Sequence, residues 1–277
     1  MKNYLSLLIL IQLFSIACYA QNICCSSATT EFAALGNESQ FVFQHDAPLP
    51  YTLESDKGQM IVFNTTDGKT ANAYAIQTTV PSNKYLIVFH EWWGLNDYIK
   101  SFSEKFFDDL KDVNIIAVDL YNGNVATTQE EAKKYMQELT TERAKAIMDG
   151  LLNKLGNNAE IATVGWCMGG GYSLQMAIES QQHAKGAIMY YGMPESNLDR
   201  LKTLQCPVLF FQASQDKWIN DEVVNTFKKN MAQENKKLTV EVYDADHAFA
   251  NPSNPKYNKE AAEDAYKKSI AFLEKAF

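Results

Sequence analysis

Short apolar runs alternate with longer amphipathic stretches along most of this chain. Runs such as residues 86–89 are continuously apolar, which is typical of strands covered on both faces. Runs of this kind predict strands at 59–63, 71–77, 85–90, 113–118, 161–166, 186–191, 208–212 and 238–243. Stretches with helical spacing predict helices at 97–111, 129–154, 169–181, 220–234 and 259–276.

The order of these elements predicts the fold class. The first two strands have no helix between them and read as a hairpin that turns near Asp67 and Gly68. Strands and helices alternate after them, which predicts an α/β fold with a mostly parallel central sheet flanked by helices on both faces. In such sheets, sites gather at the carboxyl ends of the strands.

The first residues predict an export signal. Lys2 precedes an apolar run at residues 5–16, and small residues follow before Gln21. The run is too short to span a bilayer but suits a signal peptide, which we predict over residues 1–20. The protein is then periplasmic or secreted, without stable membrane insertion once the leader is removed. A retained anchor, a buried N-terminal helix and a lipoprotein attachment at Cys18 are the alternatives.

The rest of the chain divides into an extension and one domain. Residues 21–57 are polar and mixed, and we predict that they wrap the domain formed by residues 58–277. The 277 residues are 46% hydrophobic and 21% charged, as in an ordinary globular protein. The net charge of −8 argues against a nucleic-acid partner, because the phosphate backbone demands clustered Lys and Arg.

Cysteine usage argues against a scaffold of disulfides or zinc. Five cysteines are scattered along the chain and no C-x-x-C occurs, so no metal is predicted. The adjacent Cys24 and Cys25 could bond to each other, pair across chains or cap an N-terminal arm.

A glycine-rich turn between a predicted strand and a predicted helix carries the clearest chemistry. Residues 165–169 read Gly-Trp-Cys-Met-Gly, directly after the apolar run 161–164. This is the nucleophile elbow of α/β-hydrolases with Cys167 in place of serine. Small neighbours let the backbone turn tightly, and the helix N-terminus favours the thiolate and offers donors to an oxyanion. A buried, merely packed cysteine is the alternative.

Chain order selects the base that this nucleophile requires. In this fold the histidine follows both the nucleophile and the acid. His45 lies in the extension and precedes Cys167, and His183 lies in a polar stretch typical of a solvated helix end. His247 follows the last predicted strand as a loop opens, so we predict it as the base.

The acid is expected at the end of the strand before that histidine. Asp216 lies in the loop that follows the strand 208–212, and it would hold the imidazole tautomer and stabilise its positive charge. An ordinary turn aspartate is the alternative. Asp244 and Asp246 are too close in sequence to His247 for comfortable pairing.

Together these motifs resemble the dienelactone hydrolase (carboxymethylenebutenolidase) family. The resemblance covers roughly residues 58–277 and rests on the elbow and three further segments. These are Ser-Gln-Asp-Lys at 214–217, Asp-His-Ala-Phe at 246–249 and His-Glu-Trp-Trp-Gly at 90–94. It implies a carboxylic ester hydrolase that cleaves an ester or lactone through a cysteine acyl-enzyme, with a Cys-His-Asp triad and without a cofactor or metal.

The resemblance also implies roles outside the triad. In the family, the glutamate that corresponds to Glu91 contacts the cysteine and helps to generate the thiolate. An aromatic surrounding at a strand end should raise the pKa of Glu91, which agrees with that role; an ordinary loop carboxylate is the alternative. The backbone N–H groups of Trp92 and Met168 are expected to form the oxyanion hole. His90 is read as structural.

The chain departs from the family where substrate is held. Two arginines typically clamp the carboxylate of dienelactone, but here Asn251 lies four residues after His247 and residues 122–124 read Asn-Gly-Asn. The chain's two arginines, Arg143 and Arg200, lie elsewhere, and a bidentate guanidinium is hard to replace. We therefore predict an uncharged ester or lactone in place of dienelactone. The predicted substrate-binding residues are Trp93, Tyr121, Trp218, Phe249 and Asn251, with Trp92 on the same aromatic wall.

Two other functional classes remain open at this point. One is a non-catalytic binding protein on an α/β-hydrolase scaffold, since fold alone never proves function. The other is a redox-responsive protein in which Cys24, Cys25 and Cys167 exchange disulfides.

Overall fold

One eight-stranded sheet carries the fold in the computed structural model, which describes residues 27–55 and 57–277. The predicted leader and Cys24 and Cys25 lie outside the described residues. The strands are β1 (Gln59–Asn64), β2 (Thr70–Ile76), β3 (Lys84–Phe89), β4 (Asn114–Asp119), β5 (Glu160–Trp166), β6 (Ala184–Tyr190), β7 (Val208–Ala213) and β8 (Leu238–Tyr243). Their order across the sheet is β1-β2-β4-β3-β5-β6-β7-β8.

Strand pairing confirms the predicted mostly parallel sheet. β1 pairs antiparallel with β2, which pairs antiparallel with β4, and all other neighbours are parallel. The first hairpin turns through Gly68, whose φ of 77° favours glycine. Every residue of β4 and β7 is buried, as the continuously apolar runs predicted.

Helices cover both faces of this sheet. They are α1 (Ser27–Leu35), α2 (Ser39–Phe43), α3 (Asp97–Leu110), α4 (Gln129–Glu138), α5 (Thr141–Leu155), α6 (Met168–Glu179), α7 (Leu198–Thr203), α8 (Asp221–Gln233) and α9 (Lys259–Ala276). α3 packs with α9, whereas α6 packs with α1, α5 and α7. β6 contacts both α6 and α9, so the two groups lie on opposite faces. Within the described residues, no helix has the length and hydropathy needed to cross a bilayer.

The predicted single helix over 129–154 is wrong. Leu139 adopts an extended backbone with ψ of 98°, which ends α4. Thr140 then caps α5 by accepting a hydrogen bond from the Arg143 N–H at 3.1 Å. Apolar spacing continues across both helices, so periodicity alone did not reveal the break. The sequence also did not predict the short helices α1, α2 and α7.

Candidate active site

Cys167 occupies a strained turn between β5 and α6. Its φ of 57° and ψ of −122° lie in a region that non-glycine residues rarely adopt. Glycines permit this turn, because a Cβ on Gly169 would lie 2.4 Å from the carbonyl oxygen of Phe89. A Cβ on Gly165 would lie 2.0 Å from the carbonyl oxygen of Gly169. The strand, the turn and the helix therefore close tightly around a cysteine that is only 1% exposed.

The structure brings the sulfur, imidazole and carboxylate chosen from sequence into one cluster. Asp216 Oδ2 lies 2.5 Å from His247 Nδ1, and one ring nitrogen of His247 lies within 4.8 Å of the Cys167 sulfur. The backbone N–H groups of Trp218 and Ile219 donate to Asp216 Oδ1 at 2.9 and 3.0 Å. Because a carboxylate accepts, His247 donates through Nδ1, and its Nε2 is left for the sulfur.

The charges of this cluster support proton transfer from sulfur to imidazole. Burial alone would lower the pKa of His247, but the Asp216 carboxylate and the Cys167 sulfur together raise it well above its ordinary value. Burial raises the pKa of Cys167, while His247 and the Met168 backbone N–H act in the opposite direction. Asp216 and an ionised sulfur therefore stabilise an imidazolium at His247. Burial, in contrast, favours the neutral thiol form of Cys167.

Glu91 lies in the loop after β3 and is buried. Burial raises its pKa to about 7, although His247, Asn251 and Tyr191 each oppose the shift. Asn251 Nδ2 donates to Glu91 Oε2 at 2.5 Å, whereas Oε1 has no conventional hydrogen-bond partner among the described residues. One carboxylate oxygen is therefore held in place and the other is available.

The residues predicted to bind substrate do not line an open cleft. Asn251 is engaged at both ends of its amide, because its Oδ1 also accepts from Ser253 Oγ at 2.8 Å. Trp93 is buried with its ring 5.0 Å from that of Trp92, and the Tyr121 hydroxyl lies 3.2 Å from the Met168 sulfur.

Two further residues predicted to bind substrate, Phe249 and Trp218, have different surroundings. Phe249 is fully buried and packs at 5.4 Å on Tyr191, whose ring in turn lies 5.0 Å from that of His247. Trp218 is half-buried, and its Nε1 donates to Glu38 at 3.1 Å. Its ring lies 5.2 Å from that of Phe41 in the extension.

The extension packs over Cys167. Phe41 of α2 is fully buried, with its ring 5.7 Å from that of Trp92 and 6.2 Å from that of His247. Gln129 anchors this segment by donating from Nε2 to the carbonyl oxygens of Val42 and His45, at 2.9 and 2.7 Å. This segment therefore covers the sulfur of Cys167, which is 1% exposed.

His45 is the site residue that sequence reasoning missed. Its Nε2 lies 3.8 Å from the Cys167 sulfur, and its ring lies 5.0 Å from that of His247. Burial, followed by His247, lowers the pKa of His45 to about 3, so the ring is neutral. Chain order set it aside as the base of an elbow, but that rule says nothing about an extension that returns to the site. The one available signal is the apolar triplet Phe-Val-Phe at 41–43, which lies between polar residues two positions before His45.

The other histidines have structural surroundings. His90 Nδ1 lies 2.6 Å from the Glu91 carbonyl oxygen, and its Nε2 accepts from the Leu120 N–H at 3.1 Å. His183 is half-buried, with Nδ1 3.1 Å from the Ala159 carbonyl oxygen. Cys206, like Cys167, is a free buried thiol, and burial raises its pKa to about 12.

Comparison with known proteins agrees with this architecture. The profile of the Dienelactone hydrolase family matches residues 71–277. Protein usf of Aquifex pyrophilus is 26% identical over 228 residues, covering 78% of this chain and 97% of the relative. Carboxymethylenebutenolidase 1 of Cupriavidus pinatubonensis is 22% identical over 220 residues, covering 74% of this chain and 92% of the relative.

A solved structure extends the likeness to three dimensions. A dienelactone hydrolase-like promiscuous phosphotriesterase from metagenomic libraries superposes with a TM-score of 0.67 at 18% identity. The superposition covers 79% of this chain and 99% of that one. At this identity the superposition shows the fold.

Proposed function

This chain belongs to the dienelactone hydrolase family, and from that membership we propose that it hydrolyses an ester or lactone with Cys167 as the nucleophile. The observation that carries the proposal is the convergence of the Cys167 sulfur, the His247 imidazole and the Asp216 carboxylate at one buried point. These groups come from loops after three different strands, a placement that chance packing does not explain.

The first half of the reaction makes an acyl-enzyme. His247 accepts the thiol proton through Nε2 while Asp216 stabilises the resulting imidazolium. The sulfur attacks the carbonyl carbon, and the backbone N–H groups of Trp92 and Met168 receive the negative charge on the carbonyl oxygen. The carbon–oxygen bond to the alcohol then breaks, and the imidazolium returns the proton to the leaving oxygen.

The second half releases the acid. His247 takes a proton from water, the hydroxide attacks the thioester carbon, and the sulfur leaves and recovers the proton. Glu91 supplies a second proton acceptor, because a carboxyl group with a pKa of about 7 is partly ionised at neutral pH. Ionised Glu91 can take the thiol proton in place of His247, which also removes the negative charge that raises the pKa of Cys167.

The substrate we propose is an uncharged ester or lactone. Dienelactone carries a carboxylate that two arginines would clamp, and both arginines of this chain are engaged elsewhere. Arg143 pairs with Asp67 at 3.0 Å, and Arg200 pairs with Glu179 and Glu195, each at 3.0 Å. The aromatic walls near Cys167 suit an apolar acyl or alcohol group once Phe41 has moved.

Export remains a proposal that rests on the sequence of residues 1–20. Two alternatives to hydrolysis also stay open to test. A non-catalytic binding protein would bind esters without turnover. A redox-responsive protein would lose the free thiol of Cys167 on oxidation, whereas the described thiols of Cys167 and Cys206 are both free.

Hydrolysis of p-nitrophenyl esters and of a panel of lactones tests the proposal. We expect Cys167→Ala and His247→Ala each to lower kcat/KM by about a thousandfold or more. Cys206→Ala is the matched control, because it removes the other described thiol. Equal rates for wild type and Cys167→Ala would refute the proposal, and tight ester binding without turnover in wild type would favour the binding protein.

A further inference from the structure

We propose that Cys167, His45 and His247 together form a binding site for a zinc ion. The sulfur and one ring nitrogen of each histidine lie within 4.8 Å of one another, and all three side chains are buried. A thiolate with two imidazoles is a ligand set that suits zinc. The sequence predicted no metal because His45 and Cys167 are 122 positions apart and no ligand spacing marks them.

The outer nitrogens of both histidines are already engaged in the way that zinc ligands require. His45 Nδ1 lies 2.7 Å from the Phe41 carbonyl oxygen, and His247 Nδ1 lies 2.5 Å from Asp216. Carbonyl and carboxylate oxygens only accept, so both Nδ1 atoms carry the proton. In the neutral rings this leaves a lone pair on each Nε2, the arrangement that metal-binding histidines almost always have. Zinc must displace the second proton that Asp216 and Cys167 favour on His247.

The inner nitrogens face the sulfur, and the donor beside them is the Cys167 thiol, whose proton zinc would displace. His45 Nε2 lies 3.8 Å from Sγ, and among the described residues the buried His247 Nε2 has no conventional hydrogen-bond partner. In a tetrahedral zinc site, bonds of about 2.3 Å to sulfur and 2.0 Å to nitrogen place those two atoms about 3.5 Å apart. Small side-chain movements therefore suffice for all three atoms to bind one ion.

Charge also balances in the bound state. Zinc displaces the thiol proton to solvent as the zinc–sulfur bond forms, so the cysteine contributes one negative charge. Asp216 contributes the second through its contact with His247. The rings of Phe41 and Trp92 pack on His45 at 4.4 and 4.6 Å and keep the site dry.

Zinc would inhibit the hydrolase by holding the extension in place. His45 belongs to the extension, whereas Cys167 and His247 belong to the domain, so one ion would hold the extension over the cleft and block the nucleophile. This consequence rests on the proposed function. The binding step does not, because it is measured without a substrate.

Cobalt and zinc titrations of the full chain test the site. Cys18, Cys24 and Cys25 are first changed to serine, which leaves Cys167 and Cys206 as the thiols. We expect one equivalent of Co²⁺ to give a thiolate-to-cobalt absorption band that zinc abolishes, and Mg²⁺ to leave the band unchanged. Calorimetry then gives the zinc affinity.

Variants of two histidines decide the outcome. We expect His45→Ala to weaken zinc binding at least tenfold and to abolish the inhibition by zinc of whatever ester hydrolysis the variant shows. His183→Ala is the control, because His183 lies directly before β6 and contacts the Ala159 carbonyl oxygen. This variant should bind zinc as wild type does. If His45→Ala does not fold, His45→Gln keeps the bulk and gives the same readouts.

The site and the hydrolase proposal fail separately. Wild-type zinc affinity in His45→Ala, or a cobalt band that persists in Cys167→Ala, would overturn the zinc site whether or not the protein hydrolyses esters. A cobalt band that depends on both residues, in a protein that turns over no ester or lactone, would keep the site and remove the proposed function.

Discussion

At the scale of single residues, Asn251 shows how one substitution changes the role of a position. The family resemblance of the sequence implies an arginine for a substrate carboxylate at this place, whereas the Asn251 amide donates to Glu91. The hydrogen bond favours the ionised carboxylate, and burial favours the protonated one. Asn251 is therefore a positioning residue that acts through Glu91.

The pH profile of hydrolysis tests that role. If ionised Glu91 accepts the proton, kcat/KM should fall as pH drops below about 7, the pKa of Glu91. Asn251→Leu removes a donor that lowers this pKa. The acid limb should then move to higher pH by roughly one unit, since such a bond contributes about 1.5 kcal/mol and one unit is about 1.4 kcal/mol.

A surface asparagine provides the control for that experiment. Asn153 is exposed in α5, so Asn153→Leu should leave the acid limb where it is in wild type. An unchanged limb in Asn251→Leu would mean that a group other than Glu91 sets it.

At the scale of elements, the extension covers Cys167, because His45 lies against the Cys167 sulfur. Its helix α2 has only five residues, too few to be stable alone, so packing holds it in place. Phe41 is the buried residue of α2, and its ring packs on those of Trp92 and Trp218. Burial of a phenylalanine side chain stabilises by about 2–3 kcal/mol.

Phe41→Ala should therefore release the extension. We expect the rate of Cys167 alkylation by iodoacetamide to rise about tenfold or more, because about 1.4 kcal/mol changes the open population tenfold. Phe43→Ala is the matched control, since Phe43 is two residues away and 77% exposed. Mass spectrometry of the labelled peptide measures both rates. Equal rates in Phe41→Ala and wild type would show that the extension does not limit access.

At the scale of the whole molecule, one charged network ties the helices on one face together. Arg200 of α7 donates to Gln175 and Glu179 of α6 and to Glu195, whose side chain is completely buried. Removal of one partner from a buried pair leaves a charge without compensation, which destabilises strongly. Two members of this network, Gln175 and Glu179, belong to α6, the helix that follows the elbow at Cys167.

Arg200→Ala should lower the free energy of unfolding by about 3 kcal/mol in urea denaturation. Lys134→Ala serves as the control, because its pair with Glu138 is 3.9 Å long and both side chains are more than 60% exposed. That change should alter the free energy of unfolding by less than about 0.5 kcal/mol. If Arg200→Ala lowers the free energy of unfolding by no more than the control does, the network does not stabilise the protein.

Local patterns predicted most of the architecture at this scale. Apolar runs located the strands because a strand covered on both faces must be apolar throughout, and the chain order of the motifs selected Asp216 and His247. The sequence did not predict the break between α4 and α5, because apolar spacing continues through Thr140. It did not predict the helices α1 and α2 of the extension, because their stability comes from contacts with the domain.

By itself, the sequence determined the mostly parallel sheet, the elbow at Cys167 and the order of its partners, because these follow from periodicity and from where loops leave the strands. Only the tertiary structure decided that His45 lies against Cys167, that Phe41 lies against His247 and that Asn251 holds Glu91. Those contacts join residues more than a hundred positions apart. Their formation depends on the surface that the folded domain presents, which no local pattern encodes.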